Sequence, residues 1–364
     1  MKRVLLLGGT GAMGKHLSDI LIEQKYNVFV TTRKRREIRK GLHYIVGNAH
    51  DTEFLKSILE TGTWDAVIDF MVYGTTEFTQ RVELLLCTTK QYIFISSARV
   101  FAESDGCITE RSPRLLDVST DREYLSTDEY ALAKARQEDI LKLSGKTNWT
   151  IVRPYITFSE SRLQLGVYEK ENWLYRAMLG RSIVFSRDIA AHYTTMTYGK
   201  DVAKGIAGLI GNPVAIGEDF NVVTNETHLW SEILMLYLNV LTRKTGNTPC
   251  VYYTEHSVNL RFSKLKYQVK YCRLYDRCFD NTKLINAVPL MSFTPTMDGL
   301  RECMEKFIEH GHWGESKGIL IQAIMDKASG EYIPKRVIHG MKRYIGYIVY
   351  RYLPWWILEK IVYK

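Results

Sequence analysis

The stretch from Lys2 to Gly14, KRVLLLGGTGAMG, decides the fold that this sequence predicts. Val4–Leu7 is a short uninterrupted apolar run, which is typical of a strand buried on both faces of a sheet. Gly8, Gly11 and Gly14 follow at three-residue spacing, before a segment with helical periodicity. Such glycines make a tight turn, let the backbone approach a pyrophosphate and let the helix pack close to the strand. The stretch therefore predicts a dinucleotide-binding turn with phosphates at the helix N-terminus; a bare strand-to-helix turn is the alternative.

The composition is that of an ordinary globular protein. A chain of 364 residues with 46% hydrophobic and 24% charged residues can form one large domain or a core with a second lobe. Met1 leads straight into the predicted strand, so we expect no signal peptide. The net charge of +9 is concentrated near the C-terminus, where seven Lys and Arg residues from Lys335 onward stand against the single Glu359. The positive net charge therefore indicates what kind of partner the tail binds, and it does not indicate nucleic-acid binding by the main body.

The cysteine pattern gives no sign of a covalent framework. The six cysteines are Cys87, Cys107, Cys250, Cys272, Cys278 and Cys303, and no two of them form a CxxC pair. We interpret them as reduced thiols of a cytoplasmic protein, not as a disulfide frame or a zinc site, and we expect no bound metal.

The second predicted strand, Asn27 to Thr32, ends in the basic run Arg33-Lys34-Arg35-Arg36. A site that selects NAD usually places Asp or Glu here, where the carboxylate bonds the ribose hydroxyls. The guanidinium of Arg33 suits a 2′-phosphate instead. The sequence therefore leans towards NADP, and a solvated basic loop is the alternative.

Strands and helices then alternate along the N-terminal half. We predict strands at His43–Val46, Ala66–Asp69 and Gln91–Ser96 and helices at Thr52–Glu60 and around Phe78–Cys87, the first of these helices with Asp51 as its N-cap. This alternation predicts an α/β fold with a parallel, doubly wound sheet, whose ligands bind beyond the carboxyl ends of the strands. The segments Asp69–Tyr73 and Ser96–Ser97 should therefore line one crevice with the glycine loop.

Three residues with the chemistry of a proton-transfer site follow this sheet. Ser97 follows the fifth strand, and Tyr130 and Lys134 come 33 and 37 residues later in YALAK, within a helical run that Ser126 or Thr127 could cap. Tyr and Lys four residues apart lie on one helix face. An adjacent ammonium favours the phenolate, so the tyrosine becomes a usable base, and the serine hydroxyl would bond the substrate oxygen.

Taken together, these motifs resemble the extended short-chain dehydrogenases/reductases of the NAD-dependent epimerase/dehydratase family. The resemblance covers about residues 1–300, and it is carried by GGTGAMG (8–14), Asp51, SSARVF (96–101), YALAK (130–134), VRPYITF (152–158), KDVAKGI around Asp201 and FNVV (220–223). It implies a Rossmann-like fold, catalytic roles for Ser97, Tyr130 and Lys134, and a nucleotide-sugar substrate. The residues that we expect to bind the cofactor, NAD or NADP, are Gly8, Thr10, Gly11, Ala12, Met13, Gly14, Arg33, Asn48, Asp51, Phe70, Tyr130 and Lys134.

The sequence departs from this family in two informative places. Members that dehydrate the sugar carry an Asp-Glu pair directly after the catalytic serine or threonine, whereas this chain has Ala98-Arg99. Dehydratase chemistry is therefore disfavoured. The segment Glu103 to Thr127 is long for the family and rich in turn residues, so we expect a lid or a partner surface there.

The resemblance also implies the domain organisation. We predict a Rossmann domain at 1–155, to which 190–225 return, a smaller substrate-binding lobe at 156–189 and 226–330, and a basic amphipathic tail at 331–364. The residues that we expect to contact the substrate are Ser97, Arg99, Arg162, Arg277 and Lys283. The stretch from Arg261 to Arg277, whose six basic residues include Lys264, is interleaved with aromatic residues. Such a pattern could grip a nucleotide diphosphate or an RNA strand, and a solvated face is the alternative.

The tail from Val337 to Lys364 has a helical apolar face formed by Ile338, Met341, Ile345, Ile348, Val349 and Tyr352. Arg343, Tyr347 and Arg351 fall on the opposite face, and Pro354 interrupts the pattern before Trp355. Its uncharged runs are too short to span a bilayer. Aromatic and basic residues together fit a helix lying on an anionic membrane surface, and a helix docked on its own domain is the alternative.

From these observations we expect an NAD(P)-dependent epimerase of a nucleotide-activated sugar that acts through a keto intermediate, in the synthesis of surface polysaccharide or glycan precursors. An NADPH-dependent reductase of a nucleotide keto-sugar is the first alternative. A non-catalytic relative that binds nucleic acid or a membrane is the second, although nucleic acid is disfavoured because a pure binder needs no Ser–Tyr–Lys set. We expect a cytoplasmic protein, peripheral on the inner membrane face through 337–364, and a homodimer as in related proteins.

Overall fold

The structure is a computed structural model that describes residues 2–37, 39–262, 265–313, 318–338 and 340–362. The chain forms two compact units: unit 1 is 1–159, 195–226 and 278–296, and unit 2 is 160–194, 227–277 and 297–364. These units differ from the predicted domains in two places. Residues 278–296 belong to unit 1, because Leu284 and Met291 are buried in its core. The predicted tail belongs to unit 2, because Tyr347 is buried with Ala323 there.

Unit 1 is built on a seven-stranded sheet. Its strands are β1 (Arg3–Leu7), β2 (Asn27–Thr32), β3 (Leu42–Val46), β4 (Ala66–Asp69), β5 (Tyr92–Ile95), β6 (Trp149–Arg153) and β7 (Glu218–Asn221). They lie in the order β7-β6-β5-β4-β1-β2-β3, and every neighbouring pair is parallel. The order reverses beside β1, which is where a doubly wound sheet opens its ligand crevice. The predicted Rossmann-like α/β fold is confirmed.

Helices alternate with the strands in unit 1 and predominate in unit 2. In chain order they are α1 (Gly14–Glu23), α2 (Thr52–Leu59), α3 (Thr75–Thr79), α4 (Val82–Cys87), α5 (Leu115–Val118), α6 (Arg122–Leu125), α7 (Tyr130–Lys142), α8 (Lys170–Met178), α9 (Arg187–Ala190), α10 (Gly199–Leu209), α11 (Trp230–Thr245), α12 (Asn259–Phe262), α13 (Lys266–Gln268), α14 (Thr282–Ala287), α15 (Thr296–His310), α16 (Ile319–Ser329), α17 (Met341–Tyr352) and α18 (Trp355–Val362). Within the part of the chain that the structure describes, every helix falls short of the length and apolar character that a bilayer crossing requires.

The apolar run of β1 supplies both faces of the sheet. Val4 and Leu6 point into one buried cluster, which includes residues of α1 and α10. Leu5 and Leu7 point into a second cluster, which includes residues of α2 and α4. Side chains alternate along a strand, so a strand covered by helices on both faces must be apolar at every position.

Short strand pairs complete the framework. In unit 1, Thr157–Phe158 pairs in parallel with Thr197–Tyr198. The pairs of unit 2 are Ile183–Ser186 with Val251–Thr254, Tyr193–Thr194 with His228–Leu229, and Gln164–Leu165 with Tyr168–Glu169. A π-helical turn over Val269–Arg273 follows α13.

One prediction about the cysteines is wrong. Cys107 and Cys278 form a disulfide, with their Cα atoms 4.6 Å apart and 171 residues between them in sequence. The pairing follows from backbone contacts within unit 1: Ile108 forms a parallel bridge with Phe279, and its N–H donates to the carbonyl of Cys278. Sequence spacing could not reveal this, because the partners come from a long loop and a returning segment. The other four cysteines are not disulfide-bonded.

The tail helix docks on unit 2 by the face opposite the one that its apolar pattern would bury. Tyr347, expected on the outer polar face, is buried, and its hydroxyl donates to Asp326 of α16 at 2.6 Å and accepts from the N–H of Ile333. Met341 and Ile345 are exposed, so docking by the apolar face is wrong, whereas contact of that face with a membrane stays a prediction. The buried carboxylate of Asp326 explains the inversion, because it requires hydrogen-bond donors. The last two residues of the predicted tail, Tyr363 and Lys364, lie outside the described residues.

Candidate functional site

The glycine loop joins β1 to α1 with the geometry that the sequence predicts. Gly8 has a φ of +69°, which L side chains rarely adopt. A Cβ on Gly14 would overlap the carbonyl of Gly9, so α1 packs directly on the loop. A Cβ on Gly11 would meet no atom within 4 Å. The backbone is thus tight at both ends of the loop and open at its centre, which fits a pyrophosphate lying against the amides.

Two further segments meet this loop. The N–H of Phe70 donates to the carbonyl of Leu7 at 2.9 Å, so the chain after β4 runs beside the loop. A Cβ added to Gly8 would lie 2.7 Å from the sulfur of Met71. From the other side, a Cβ on Gly199 would come within 2.8 Å of the carbonyl oxygen of Ala12, so α10 begins directly against the loop. The predicted adjacency of the loop and the chain after β4 is confirmed.

The remaining predicted cofactor residues lie at the carboxyl ends of β2 and β3. Arg33 is exposed at the end of β2. Asn48 is exposed, and its side-chain oxygen accepts from the N–H of His50. The carboxylate of Asp51 accepts from the N–H of Phe54 at 2.9 Å, which confirms Asp51 as the N-cap of α2. Their contacts with a dinucleotide stay a prediction.

Lys134 joins the ends of two central strands. Its ammonium donates to the carbonyl of Ile95 at 2.8 Å and to that of Met71 at 3.3 Å, and it lies 4.4 Å from the centre of the Phe94 ring. Lys134 is therefore held at the carboxyl ends of β5 and β4, in the chain segments that flank Ser97 and the glycine loop. Tyr130 stands one turn earlier, at the first position of α7.

Arg99 links Ser97 to Tyr130. The N–H of Arg99 donates to the hydroxyl oxygen of Ser97 at 3.2 Å, and its guanidinium lies 5.2 Å from the centre of the Tyr130 ring. The same guanidinium forms an ion pair with Glu129 at 2.6 Å, and both side chains are largely buried. The serine, the tyrosine and the lysine that the sequence selects thus belong to one cluster within unit 1.

Burial determines the electrostatics of this cluster. Burial lowers the pKa of Lys134 to about 8, against the opposing attraction of Asp69 and Glu138. Asp69 is itself fully buried at the end of β4, and burial raises its pKa. Its carboxylate accepts from the N–H of Met71 and from the hydroxyls of Tyr92 and Tyr73. A lysine with such a pKa still carries most of its charge at neutral pH and can favour a nearby phenolate.

A second buried group braces the same region. The guanidinium of Arg153 donates to both carboxylate oxygens of Glu138 at 2.8 Å. The hydroxyl of Ser96 donates to the same carboxylate at 2.6 Å. Because Glu138 lies on α7 and Ser96 directly follows β5, this network fixes the helix that carries Tyr130 against the strand that precedes Ser97.

Sequence reasoning missed the acidic residues of the site. Glu129, not Ser126 or Thr127, is the N-cap of α7, and its carboxylate accepts from the N–H of Ala131 at 2.8 Å. The available signal was an acidic residue immediately before the helix that carries Tyr130, where a carboxylate can cap the free amides. No sequence pattern indicated that Arg99 would pair with it.

The predicted substrate residues fall in different places. Lys283, in unit 1, forms an ion pair with Glu218 at 2.7 Å. Arg162, in unit 2, forms an ion pair with Glu169 at 2.9 Å. Arg277, also in unit 2, is fully buried, and its guanidinium donates to the carbonyl of Tyr271 at 3.0 Å. The described contacts of these three residues are internal, so substrate contact stays a prediction for each.

The basic stretch 261–277 is less accessible than an RNA-binding surface requires. Arg273 and Arg277 are both buried, and Arg273 donates to the carbonyl of Gly166. Lys270 is exposed, whereas Lys264 lies outside the described residues. A continuous basic face made of all six residues is therefore ruled out, because two of them lie inside unit 2.

The sheet order, the glycine loop and the Ser–Tyr–Lys cluster define a protein of the short-chain dehydrogenase/reductase type. The model of the NAD-dependent epimerase/dehydratase family matches residues 4–222. The chain belongs to this family.

Solved structures share the fold at low sequence identity. The UDP-glucuronic acid 4-epimerase of Bacillus cereus, in complex with NAD, superimposes with a TM-score of 0.64 at 15% identity, over 85% of this chain and 100% of that one. The dTDP-glucose 4,6-dehydratase of Bacillus anthracis, also in complex with NAD, gives a TM-score of 0.64 at 14% identity, over 86% of this chain and 98% of that one.

One curated relative is similar in sequence. The chloroplast stem-loop binding protein of 41 kDa b from Arabidopsis thaliana is 26% identical over 237 residues, which cover 61% of this chain. The matched region spans 58% of the length of that relative.

Proposed function

We propose that this protein is an NAD(P)-dependent epimerase of a nucleotide-activated sugar, acting through a keto intermediate in the synthesis of polysaccharide or glycan precursors. The observation that carries the proposal is the cluster in which Arg99 contacts both Ser97 and Tyr130, while Lys134 is held at the carboxyl ends of β4 and β5. Family membership supports the reaction type. Nucleotide-sugar chemistry is supported by the similar Bacillus cereus epimerase, whose structure contains UDP-glucuronic acid and NAD.

In this proposal Tyr130, Ser97 and Lys134 have separate roles. A nicotinamide dinucleotide, when bound, supplies reversible hydride acceptance from a sugar carbon. Tyr130, as phenolate, removes the proton of the hydroxyl on that carbon and later returns it. The hydroxyl of Ser97 donates a hydrogen bond to the same oxygen, and the ammonium of Lys134 stabilises the phenolate. The open backbone at Gly11 would hold the pyrophosphate of that dinucleotide.

Epimerisation is preferred over dehydration because of the residue at position 99. Expulsion of a sugar hydroxyl needs a proton donor close to the reacting carbon. Arg99 stands where dehydratases of the family carry an acid, and a guanidinium stays protonated at working pH. Reduction of a keto-sugar with NADPH is the closest alternative, and it is supported by the exposed Arg33 at the end of β2.

The direct test is turnover of a panel of UDP-, dTDP- and GDP-hexoses, followed by proton NMR. We expect the wild-type protein to interconvert one epimer pair without net consumption of dinucleotide. Tyr130→Phe should reduce turnover by about a hundredfold or more, because the base is lost, with dinucleotide affinity unchanged. Tyr26→Phe, a matched change at the amino end of β2, should leave turnover unaltered. Full activity of Tyr130→Phe, or no conversion of any sugar, would contradict the proposal.

The cofactor can be assigned separately. We expect Arg33→Ala to weaken binding of NADP but not of NAD, because the guanidinium would contact only the 2′-phosphate. Arg35→Ala provides the matched control in the same basic run. Equal affinity of the wild-type protein for NAD and NADP, retained in Arg33→Ala, would remove this role from Arg33.

RNA binding is a second candidate function. It is favoured by one observation, the sequence similarity to a stem-loop binding protein. The test is titration of a fluorescent stem-loop RNA at increasing salt. Binding by phosphate contacts predicts an affinity that falls steeply with salt. Absence of such binding would dismiss the candidate without affecting the epimerase proposal.

A further inference from the structure

The C-terminal helices present an exposed apolar stripe. We define the outer stripe as Met341, Ile345, Val349, Tyr352 and Trp356, which are between 36% and 63% exposed. The four residues on α17 lie within an arc of about 80°, because successive residues of an α-helix advance by about 100°. Trp356 continues the stripe onto α18, beyond Pro354. Exposed apolar residues arranged contiguously mark an interaction surface, whereas scattered ones do not.

The opposite side of α17 holds the stripe in place. Tyr347 lies about 200° around the helix from the centre of the stripe, and its buried hydroxyl is bonded to Asp326 and Ile333. The guanidinium of Arg351 donates to the carbonyl of Glu331 at 2.9 Å. The helix is thus attached to unit 2 through specific polar contacts, and the outer stripe cannot rotate inward without breaking them.

The segment that carries the stripe is predominantly basic, with Glu359 of α18 as its one acidic residue after Glu331. Lys342 is exposed about 60° around α17 from the centre of the stripe, Lys335 is exposed on the turn before α17, and Arg343 is exposed about 160° from that centre. From Tyr332 to Leu358 the sequence contains no Asp or Glu. A surface that combines exposed apolar and aromatic residues with an excess of basic residues is complementary to a layer with an apolar interior and an anionic face.

We propose that the outer stripe docks on an anionic lipid bilayer, with α17 and α18 lying in the plane of the interface. Met341, Ile345 and Val349 enter the acyl boundary, Tyr352 and Trp356 sit at the level of the headgroups, and Lys342 meets the lipid phosphates. A second copy of the chain is a poorer occupant, because a symmetric contact along α17 would bring two sets of basic residues together with no carboxylate of that helix between them. The proposal is independent of the catalytic one.

The experiment is cosedimentation of the full chain with vesicles of phosphatidylcholine, with and without phosphatidylglycerol. We expect binding only to the anionic vesicles, weakened by salt. Met341→Gln combined with Ile345→Gln should weaken it by about tenfold or more by removing apolar burial. Lys342→Gln should also weaken it, by about fivefold, because each basic residue near the surface adds severalfold to the affinity. Gln preserves helix propensity.

The matched control is Leu290→Gln, which removes a leucine that is 98% exposed in unit 1. We expect this variant to bind as the wild-type protein does, and all variants to keep the wild-type melting temperature and turnover. Failure of the wild-type protein to bind anionic vesicles would overturn the proposal. So would undiminished binding by the Met341/Ile345 variant, or sedimentation equilibrium showing a dimer that this variant dissociates while vesicle binding is absent.

Discussion

Glu129 connects three parts of the Ser–Tyr–Lys cluster through a single carboxylate. It caps α7 at Ala131, pairs with Arg99 and accepts from the hydroxyl of Tyr124 at 3.2 Å. Tyr124 belongs to the long segment between β5 and α7, so this carboxylate ties that segment to the helix start. The sequence predicted Ser97, Tyr130 and Lys134 because a spacing motif marks them. It could not predict the Arg99–Glu129 pair, because 30 residues separate the two.

Glu129→Gln should lower kcat by about tenfold or more while KM changes little. The amide keeps the size of the side chain but loses the charge that holds Arg99, so Arg99 and Tyr130 lose their fixed arrangement. Steady-state kinetics with the substrate found in the panel measures the change. Glu83→Gln, an exposed change on α4, is the control. Equal kinetic constants in Glu129→Gln and the wild-type protein would show that the pair has no positioning role.

The buried Asp69 should control the alkaline limit of activity. Its negative charge raises the pKa of Lys134, which burial has lowered to about 8. Asp69→Asn removes that charge, so the pKa of Lys134 falls further and the lysine loses its proton at a lower pH. We expect the alkaline limb of the kcat/KM profile to move down by about one pH unit.

The pH profile of Asp65→Asn serves as the comparison for Asp69→Asn. Asp65 lies just before the same strand, but it pairs with Lys90 at the other end of β4. Its substitution should leave the alkaline limb where it is in the wild-type protein. If the alkaline limb of the kcat/KM profile does not move in Asp69→Asn, that limb does not report the ionisation of Lys134.

At the scale of elements, buried strands were the most predictable part of the chain. β2 and β4 have the bounds that the sequence predicts, because a short apolar run bounded by turn residues usually forms a buried strand. The helix predicted around Phe78–Cys87 is instead two, α3 and α4, separated at Gln80 and Arg81. The guanidinium of Arg81 donates to the carbonyls of Ala49 and His50, a tertiary contact that no local pattern contains.

The glycine loop allows a matched pair of substitutions. Gly14→Ala should reduce the free energy of unfolding by about 1 to 3 kcal/mol, because the new methyl group would overlap the carbonyl of Gly9. Gly11→Ala should change it by less than about 0.5 kcal/mol but weaken dinucleotide binding, because the methyl would occupy the approach of the pyrophosphate. Urea unfolding and calorimetric titration measure the two effects.

Two results for Gly11→Ala would contradict these predictions. Unweakened dinucleotide binding by Gly11→Ala would place the phosphates away from the centre of the loop. A large loss of stability in the same variant would show instead that position 11 is crowded.

At the scale of the whole chain, the disulfide is the feature furthest from what the sequence indicates. It joins residues 171 apart and fastens the segment between β5 and α7 to the chain that returns to unit 1. We expect Cys107→Ser to lower the free energy of unfolding by about 3 kcal/mol, through the added freedom of the unfolded chain. Urea unfolding with and without reductant measures this.

The prediction for Cys107→Ser has a control in the free thiol of Cys87. Cys87→Ser replaces an exposed free cysteine and should leave stability unchanged in both conditions. A wild-type unfolding midpoint that reductant does not move would show that the bond contributes nothing to stability.

The buried cluster around Asp326 has a practical consequence for producing this protein. Arg176 and Arg181 both pair with Asp326 inside unit 2, and Arg176 also pairs with Glu331. A gene shortened at codon 330 would remove Glu331 and the hydroxyl of Tyr347 but leave two guanidiniums beside one carboxylate. Such uncompensated interior charge is costly, so trimming the basic end to improve yield should instead give insoluble material. Surface substitutions are the sounder route to a well-behaved sample.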